Sequence, residues 1–246
     1  MLTVESTEKE LYDFIIKNRK ELQSNNPKAE TAWFKMTSGA KGTKTSMMYE
    51  YQLDGITFWH FRYGTRSRYF YLHVAVLPFA KDKWQYVTWD SEMQNVFKYT
   101  HHFVERYKER LGLKGSMKQV FKHYLKNSNP MMCIYRKNNQ IVFATNNGLV
   151  LGVEDERISM QVGCTFVDYS LLKSSQRAAF NKVQSVSEDI VRDHLKLNNM
   201  GASLSTSVAA IEAKYKDVSS AAEEVYSWYY QQGELRERDA HSVREH

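Results

Sequence analysis

Residues 90–112 read DSEMQNVFKYTHHFVERYKERLG. The apolar positions recur at helical spacing, Asp90 stands where a cap belongs, and Gly112 closes the run, so the stretch predicts one continuous helix. A second helix, SMKQVFKHYLKN, is expected from Ser116 and stops before Pro130. Four short strand-like runs follow: MMCIYRK (131–137), QIVFAT (140–145), GLVLGVE (148–154) and RISMQVGCTFVDY (157–169). Asn138-Asn139, Asn146-Asn147-Gly148 and the acidic residues 154–156 supply the turns between them. Residues 91–174 are thus expected to form a helix–helix–meander unit.

Upstream, Leu11, Phe14, Ile15 and Leu22 mark a helix over about 5–23, ended by SNNP at 24–27. Strand-like runs then occupy residues up to 90: TAWFKMT (31–37), MMYEYQL (47–53), ITFWHFRYG (56–64), RYFYLHVAVLPF (68–79) and KWQYVTW (83–89). Asp54-Gly55 and Gly64-Thr65 are turn signals, and GAKGTK (39–44) reads as a basic loop. Downstream, Leu204, Val208, Ile211, Tyr215, Val218, Ala222, Val225 and Tyr229 keep a 4–3 spacing. Phe180, Val183, Ile190 and Leu197 form an earlier seam, broken by Ser187 and His194, and NNMGAS (198–203) can reverse the chain. Residues 175–246 therefore read as a helical hairpin with a polar, frayed tail from about Gly233. The expected fold class is α+β: an antiparallel meander packed by two helices, between an N-terminal helix-and-strand region (1–90) and the hairpin (175–246).

Composition excludes several classes. Of 246 residues, 42% are apolar and 13% aromatic, too many for a disordered chain. No run of about 18 apolar residues offers a membrane span, and MLTVESTEKE lacks the pattern of a signal peptide. Cys133 and Cys164 sit in apolar runs and are too few for a disulfide framework, so a cytoplasmic protein is expected. No P-loop, Rossmann glycine fingerprint, HExxH or Gly-x-Ser-x-Gly is present. Neither cofactor nor metal is expected: His101 and His102 are neighbours, pointing about 100° apart on a helix.

Charge is concentrated. Residues 98–126 hold eight Lys and Arg against Glu105 and Glu109, a local +6 that equals the net charge of the whole chain. Such a surface suits a polyanion, RNA or another nucleic acid. On the expected helix, His102, Arg106 and Arg110 recur every four residues and share a face with Lys98, away from Phe103, Val104, Tyr107 and Leu111. Lys118, Lys122 and Lys126 repeat the arrangement on the next helix, and Lys114 lies between the two. A histidine beside guanidinium groups can move the proton of a ribose 2′-hydroxyl or of a leaving 5′-oxygen while fixed cations balance charge on the phosphorane. Glu105, three residues beyond His102, could orient it. On spacing alone, a solvated helix with ion pairs between successive turns is the commoner outcome.

THHFVERYKERLG, a second helix, and a four-stranded meander carrying GCTFVDYSLL resemble the barnase–EndoU–colicin–RelE superfamily of toxin ribonucleases over residues 95–172. The resemblance implies a metal-independent endoribonuclease. His102 would be its general base or acid, Arg106 and Arg110 would hold the scissile phosphate, and Thr165 would contact it. A second proton-transfer residue is not evident; Arg136, Lys137 and Arg157 are the candidates, and nothing selects among them. The alternative is a non-catalytic nucleic-acid-binding or assembly protein of a phage or mobile element. In either case residues 204–229 would dock on the body, bind a protein partner or self-associate. Arg68 and His73 have an R-x4-H spacing that belongs on a helix, whereas YFYLHVAV alternates as a strand. Phe58, Trp59, Phe61, Tyr63, Tyr69 and Tyr71, with Arg62, Arg66 and Arg68, could stack bases, but hairpin packing accounts for them more simply.

Overall fold

The computed structural model describes residues 6–24, 26–39, 42–67, 69–80, 83–90, 95–128, 131–155, 157–158, 160–181, 213 and 216–235. The fold is α+β with antiparallel strands. The chain divides into two compact units, Met1–His101 with Asp155–Val162, and His102–Glu154 with Gly163–His246.

In the first unit, α1 (Glu8–Ser24) and α2 (Asn26–Met36) precede β1 (Thr45–Leu53), β2 (Ile56–Gly64), β3 (Tyr69–Ala80), β4 (Lys83–Asp90) and β5 (Asn95–Tyr99). Each strand pairs antiparallel with the next. Thr7 and Glu10 cap α1 reciprocally: the Thr7 amide donates to Glu10 Oε2 at 2.7 Å, and the Glu10 amide to Thr7 Oγ1 at 3.3 Å. Asp54 and Gly55, at φ 49° and 76°, make the left-handed turn that joins β1 to β2. Leu11, Ile15 and Leu22 on one stripe of α1 are buried with Phe58, Ala75, Leu77, Val87 and Trp89. Burying each large side chain of that kind contributes about 1.5–3 kcal/mol.

Two expectations are corrected here. TAWFKMT is not a strand: it lies mostly within α2, where Ala29 and Trp33, four residues apart, are buried, and Thr37, just past its end, continues the buried stripe. Pro27, near the start of α2, is compatible with the first helical turn, so the SNNP stretch separates two helices instead of introducing a sheet. The 90–112 stretch is not one helix either. Asp90 ends β4, and Asn95–Tyr99 is a strand whose Phe97 and Tyr99 stand opposite Thr88 and Tyr86. The helix begins only at His101.

In the second unit, α3 (His101–Arg110), which starts at the division, leads into α4 (Met117–Asn127). Ser116 and Gln119 form a capping box at the start of α4. Then come β6 (Met132–Lys137), β7 (Gln140–Ala144), β8 (Gly148–Asp155) and β9 (Met160–Asp168), of which residues 148–154 and 163–168 belong to this unit, a 3-10 turn (Tyr169–Leu171), a helical stretch at 174–181, and α5 (Lys216–Gln231). β6, β7 and β8 pair antiparallel in succession, and β9 lies beside β8. Asn138 and Asn139, at φ 49° and 63°, turn β6 into β7. A Cβ at Gly148 would collide with the Val167 carbonyl and the Phe166 ring, so only glycine allows β8 so near β9 at that point.

The aromatic side of α3 builds the second core. Phe103 and Tyr107 meet the Phe166 ring edge-on, with centroids 6.3 and 4.7 Å away, and Tyr124 of α4 closes on both. Helix α5 buries Val218, Ala222, Val225 and Tyr229 and packs on β6 and β7 of its own unit. Lys137 reaches Glu223 at 2.9 Å there. Leu204, Val208, Ile211 and Tyr215 of the heptad seam, the expected helix beyond residue 181 and the tail beyond 235 lie outside the described residues. No helix among the described residues is long and apolar enough to cross a membrane.

Candidate functional site

Four of the sequence-selected side chains, His102, Arg106, Arg110 and Thr165, come together in the second unit. The first three descend one face of α3 at four-residue intervals, opposite the buried Phe103 and Tyr107. Thr165 points from β9 and is fully buried.

Glu234, expected in a frayed tail, completes the cluster. Glu234 Oε2 accepts from Arg106 Nε at 2.9 Å and from Thr165 Oγ1 at 3.2 Å. Arg110 Nη2 lies 3.3 Å from the same oxygen and His102 Nε2 lies 3.5 Å from it. One carboxylate oxygen is therefore surrounded by every residue of the expected catalytic set. The Thr165 hydroxyl donates to Glu234 and accepts from Arg110 Nη1 at 3.4 Å. Arg106 is also held by Glu109, through Nη1 at 2.7 Å.

The backbone explains why Glu234 is held there. Gly233 has φ 78°, its amide donates to the Tyr230 carbonyl at 3.0 Å, and the Glu234 amide donates to the Tyr229 carbonyl at 3.2 Å. This is a Schellman cap, in which a glycine in the left-handed region reverses the chain and fixes the residue after it. Tyr229, one turn earlier, presents its ring 5.0 Å from the Arg110 guanidinium carbon. The sequence signal was Gly233 directly after a helix; it marks an ordered cap as readily as an end to order.

Burial and charge compete at this carboxylate. Burial raises the Glu234 carboxyl, but Arg110, Arg106, the Thr165 hydrogen bond and His102 outweigh it, and the group titrates below its ordinary value. Burial lowers the Arg110 guanidinium, while Tyr229 and Glu234 act against that change. His102 and Arg106 keep 23% and 33% of their side chains exposed, so the cluster is open to solvent on the α3 side.

The remaining candidates lie elsewhere. Lys98 does not share a helix face with His102: it belongs to β5, is buried, and its Nζ meets Glu8 Oε1 at 2.9 Å. Lys114 and Lys126 are exposed, and Lys118 and Lys122 are half-buried on α4, whose other side buries Val120, Phe121, Tyr124 and Leu125. Arg136, Lys137 and Arg157 each have a carboxylate partner: Glu154 at 2.6 Å, Glu223 at 2.9 Å and Asp155 at 2.8 Å. Glu105 is half-buried on α3. Phe58, Trp59 and Phe61 are core residues, and Arg62 is buried between the Tyr69 and Tyr71 rings, so these aromatics serve packing. Arg68 lies outside the described residues, and His73 is buried in β3. Cys133 and Cys164 are free thiols. Among the described residues, no group of three or more His, Cys, Asp or Glu could hold a metal ion.

The chain matches no protein-family model, no curated protein and no solved structure with which it was compared.

Proposed function

We propose that the second unit binds the phosphodiester backbone of RNA at His102, Arg106, Arg110 and Thr165 and cleaves it without a metal, as a toxin-like endoribonuclease. The observation that carries the reading is the convergence of these side chains on a single anionic oxygen, that of Glu234. A non-bridging phosphate oxygen has the charge and acceptor capacity of that carboxylate oxygen, and arginine grips both in the same way. His102 is the group that moves the proton. It takes it from the 2′-hydroxyl while water protonates the departing 5′-oxygen, or gives one to that oxygen while water accepts the 2′-hydroxyl proton, as the 2′-oxygen attacks phosphorus and the P–O5′ bond breaks. Arg106 and Arg110 balance the charge that accumulates on the phosphorane. Lys114, Lys118, Lys122 and Lys126 are read as further backbone contacts. The meander reading of β6–β9 and the hairpin reading of 175–246 belong to the same proposal, and the two free thiols suit a reducing cytoplasm.

A binding-only reading, an assembly protein of a phage or mobile element, is favoured by one feature: α5 leaves Trp228 and Tyr230 more than half exposed, an aromatic surface suited to association. Incubation of purified protein with mixed RNA in excess EDTA separates the two. Cleavage to 2′,3′-cyclic phosphate ends, reduced on the order of 10²-fold by His102→Ala or Arg106→Ala, supports the nuclease. Cleavage abolished by EDTA, or full activity in His102→Ala at matched RNA binding, overturns it. Binding without cleavage leaves the assembly reading.

A further inference from the structure

The cluster on α3 is not an empty anion site, because the protein's own carboxylate sits in it. We infer that Glu234 is an intramolecular competitor that decides which anions the site accepts: a phosphate enters only by displacing it, so the site takes polyanionic chains and turns away single phosphates. The inference rests on the nucleic-acid reading above and adds the selection of ligand to it.

Three observations carry the inference. Glu234 Oε2 engages Arg106, Arg110 and Thr165 at 2.9–3.3 Å, with His102 at 3.5 Å, so an incoming oxygen finds its donors taken. Glu234 reaches the cluster from a backbone cap outside α5, held by the Gly233 and Glu234 amides and not by its carboxylate. The carboxylate can therefore leave while α5 stays seated through Val218, Ala222 and Val225. Last, the side chains that would receive the phosphate remain partly open: Arg106 keeps a third of its surface in solvent, while Glu234 keeps 17%.

Tethering sets the threshold. A group held on a short segment beside its site competes at an effective concentration on the order of millimolar or above. A mononucleotide or inorganic phosphate, with one such contact to offer, must exceed that concentration. An RNA strand adds contacts with neighbouring phosphates and overcomes the competitor at far lower concentration.

The test measures binding of a fluorescent single-stranded RNA 12-mer, and its competition by AMP, to wild type, Glu234→Gln and Glu234→Ala. Both variants should bind RNA about tenfold tighter than wild type, and AMP, ineffective against wild type, should compete with RNA in the variants. Equal RNA affinity in wild type and well-folded variants overturns the competitor and leaves the nucleic-acid reading standing; no RNA binding by any of the three overturns both. Should the variants fail to fold, the side-chain carboxyl carbon resonance of wild-type Glu234 decides. A shift at saturating RNA supports displacement, and an unchanged resonance at saturation overturns it.

Discussion

Thr165 and Glu234, 69 residues apart in sequence, meet through a 3.2 Å hydrogen bond in which the threonine hydroxyl donates to the carboxylate. The same hydroxyl accepts from Arg110, so a single neutral side chain fixes both members of an ion pair and orients them toward each other. The pairing ties the cap that follows α5 to a strand from the middle of the chain.

Removing the Glu234 charge should destabilise the second unit near neutral pH. Glu234→Gln leaves Arg110, with 12% of its side chain exposed, short of a counter-charge, at a cost on the order of 1–3 kcal/mol. The native carboxyl titrates below its ordinary value. Its contribution is therefore complete above the unfolded value of about 4.3 and disappears as pH falls through the depressed native one. Thermal melts of both proteins between pH 7 and pH 3 should converge at the acid end. A gap that persists undiminished would mean that the charge of Glu234 is not what stabilises the cluster.

The first unit should be acid-sensitive for a different reason. His60 and His73 face each other across β2 and β3 with ring centroids 4.9 Å apart, both fully buried. Burial, then His73 and Arg62, pulls His60 down to about 3; burial, then Arg62, pulls His73 down to about 4. Both are neutral when folded, while the unfolded chain takes up protons below about pH 6.5. Stability then falls as pH drops from 6.5 through these native values, because the unfolded state binds more protons in that window. His60→Phe with His73→Phe should flatten the melting temperature of this unit across pH 4–6.5; an unaltered slope would assign the acid response elsewhere.

RNA affinity should depend steeply on salt. With several phosphate contacts, the logarithm of the affinity falls against the logarithm of salt concentration by about 0.7 for each contact on a single strand. Replacing Lys118, Lys122 and Lys126 together by Ala should weaken binding to every sequence alike and shallow that slope. Unchanged affinity in the triple variant would remove α4 from the interface.

Val218 is buried on α5 with Ala222 and Val225, and a glutamate there must bring an unpaired charge into the core. Val218→Glu should lower the melting temperature of the second unit and abolish any RNA binding that depends on α5. Trp228→Ala, on the exposed side, should leave stability unchanged. Sedimentation of Trp228→Ala and wild type then tests association: a shift to lower mass in the variant alone identifies Trp228 as the contact.

Much of the second unit could be read directly from residue patterns. The runs at 131–137, 140–145 and 148–154 are apolar, β-branched and separated by asparagine and glycine, and the strands observed there differ from them by a residue or so at either end. The 90–112 stretch reads as one helix because Val96, Phe97 and Tyr99 continue the helical spacing of Phe103 and Tyr107. What makes them a strand is pairing with β4, a non-local contact that no window within the stretch contains. TAWFKMT misled in the opposite direction: aromatic and Thr residues favour strands, and burial of Trp33 overrides that preference. His102, Arg106, Arg110 and Thr165 were legible as residue types, whereas Glu234 was not, since its role depends on where a cap delivers it.

The 128 residues between Arg106 and Glu234 also have a meaning in time. Synthesis proceeds from the N-terminus at about 5–20 residues per second, so α3 emerges roughly 6–25 s before the carboxylate that neutralises it. For that interval the nascent chain presents α3 with only its own Glu105 and Glu109 to balance its cations, while still attached to a ribosome made largely of RNA. The cap after α5 thus does more than complete the fold: its arrival closes a period in which this surface lacks its tethered carboxylate.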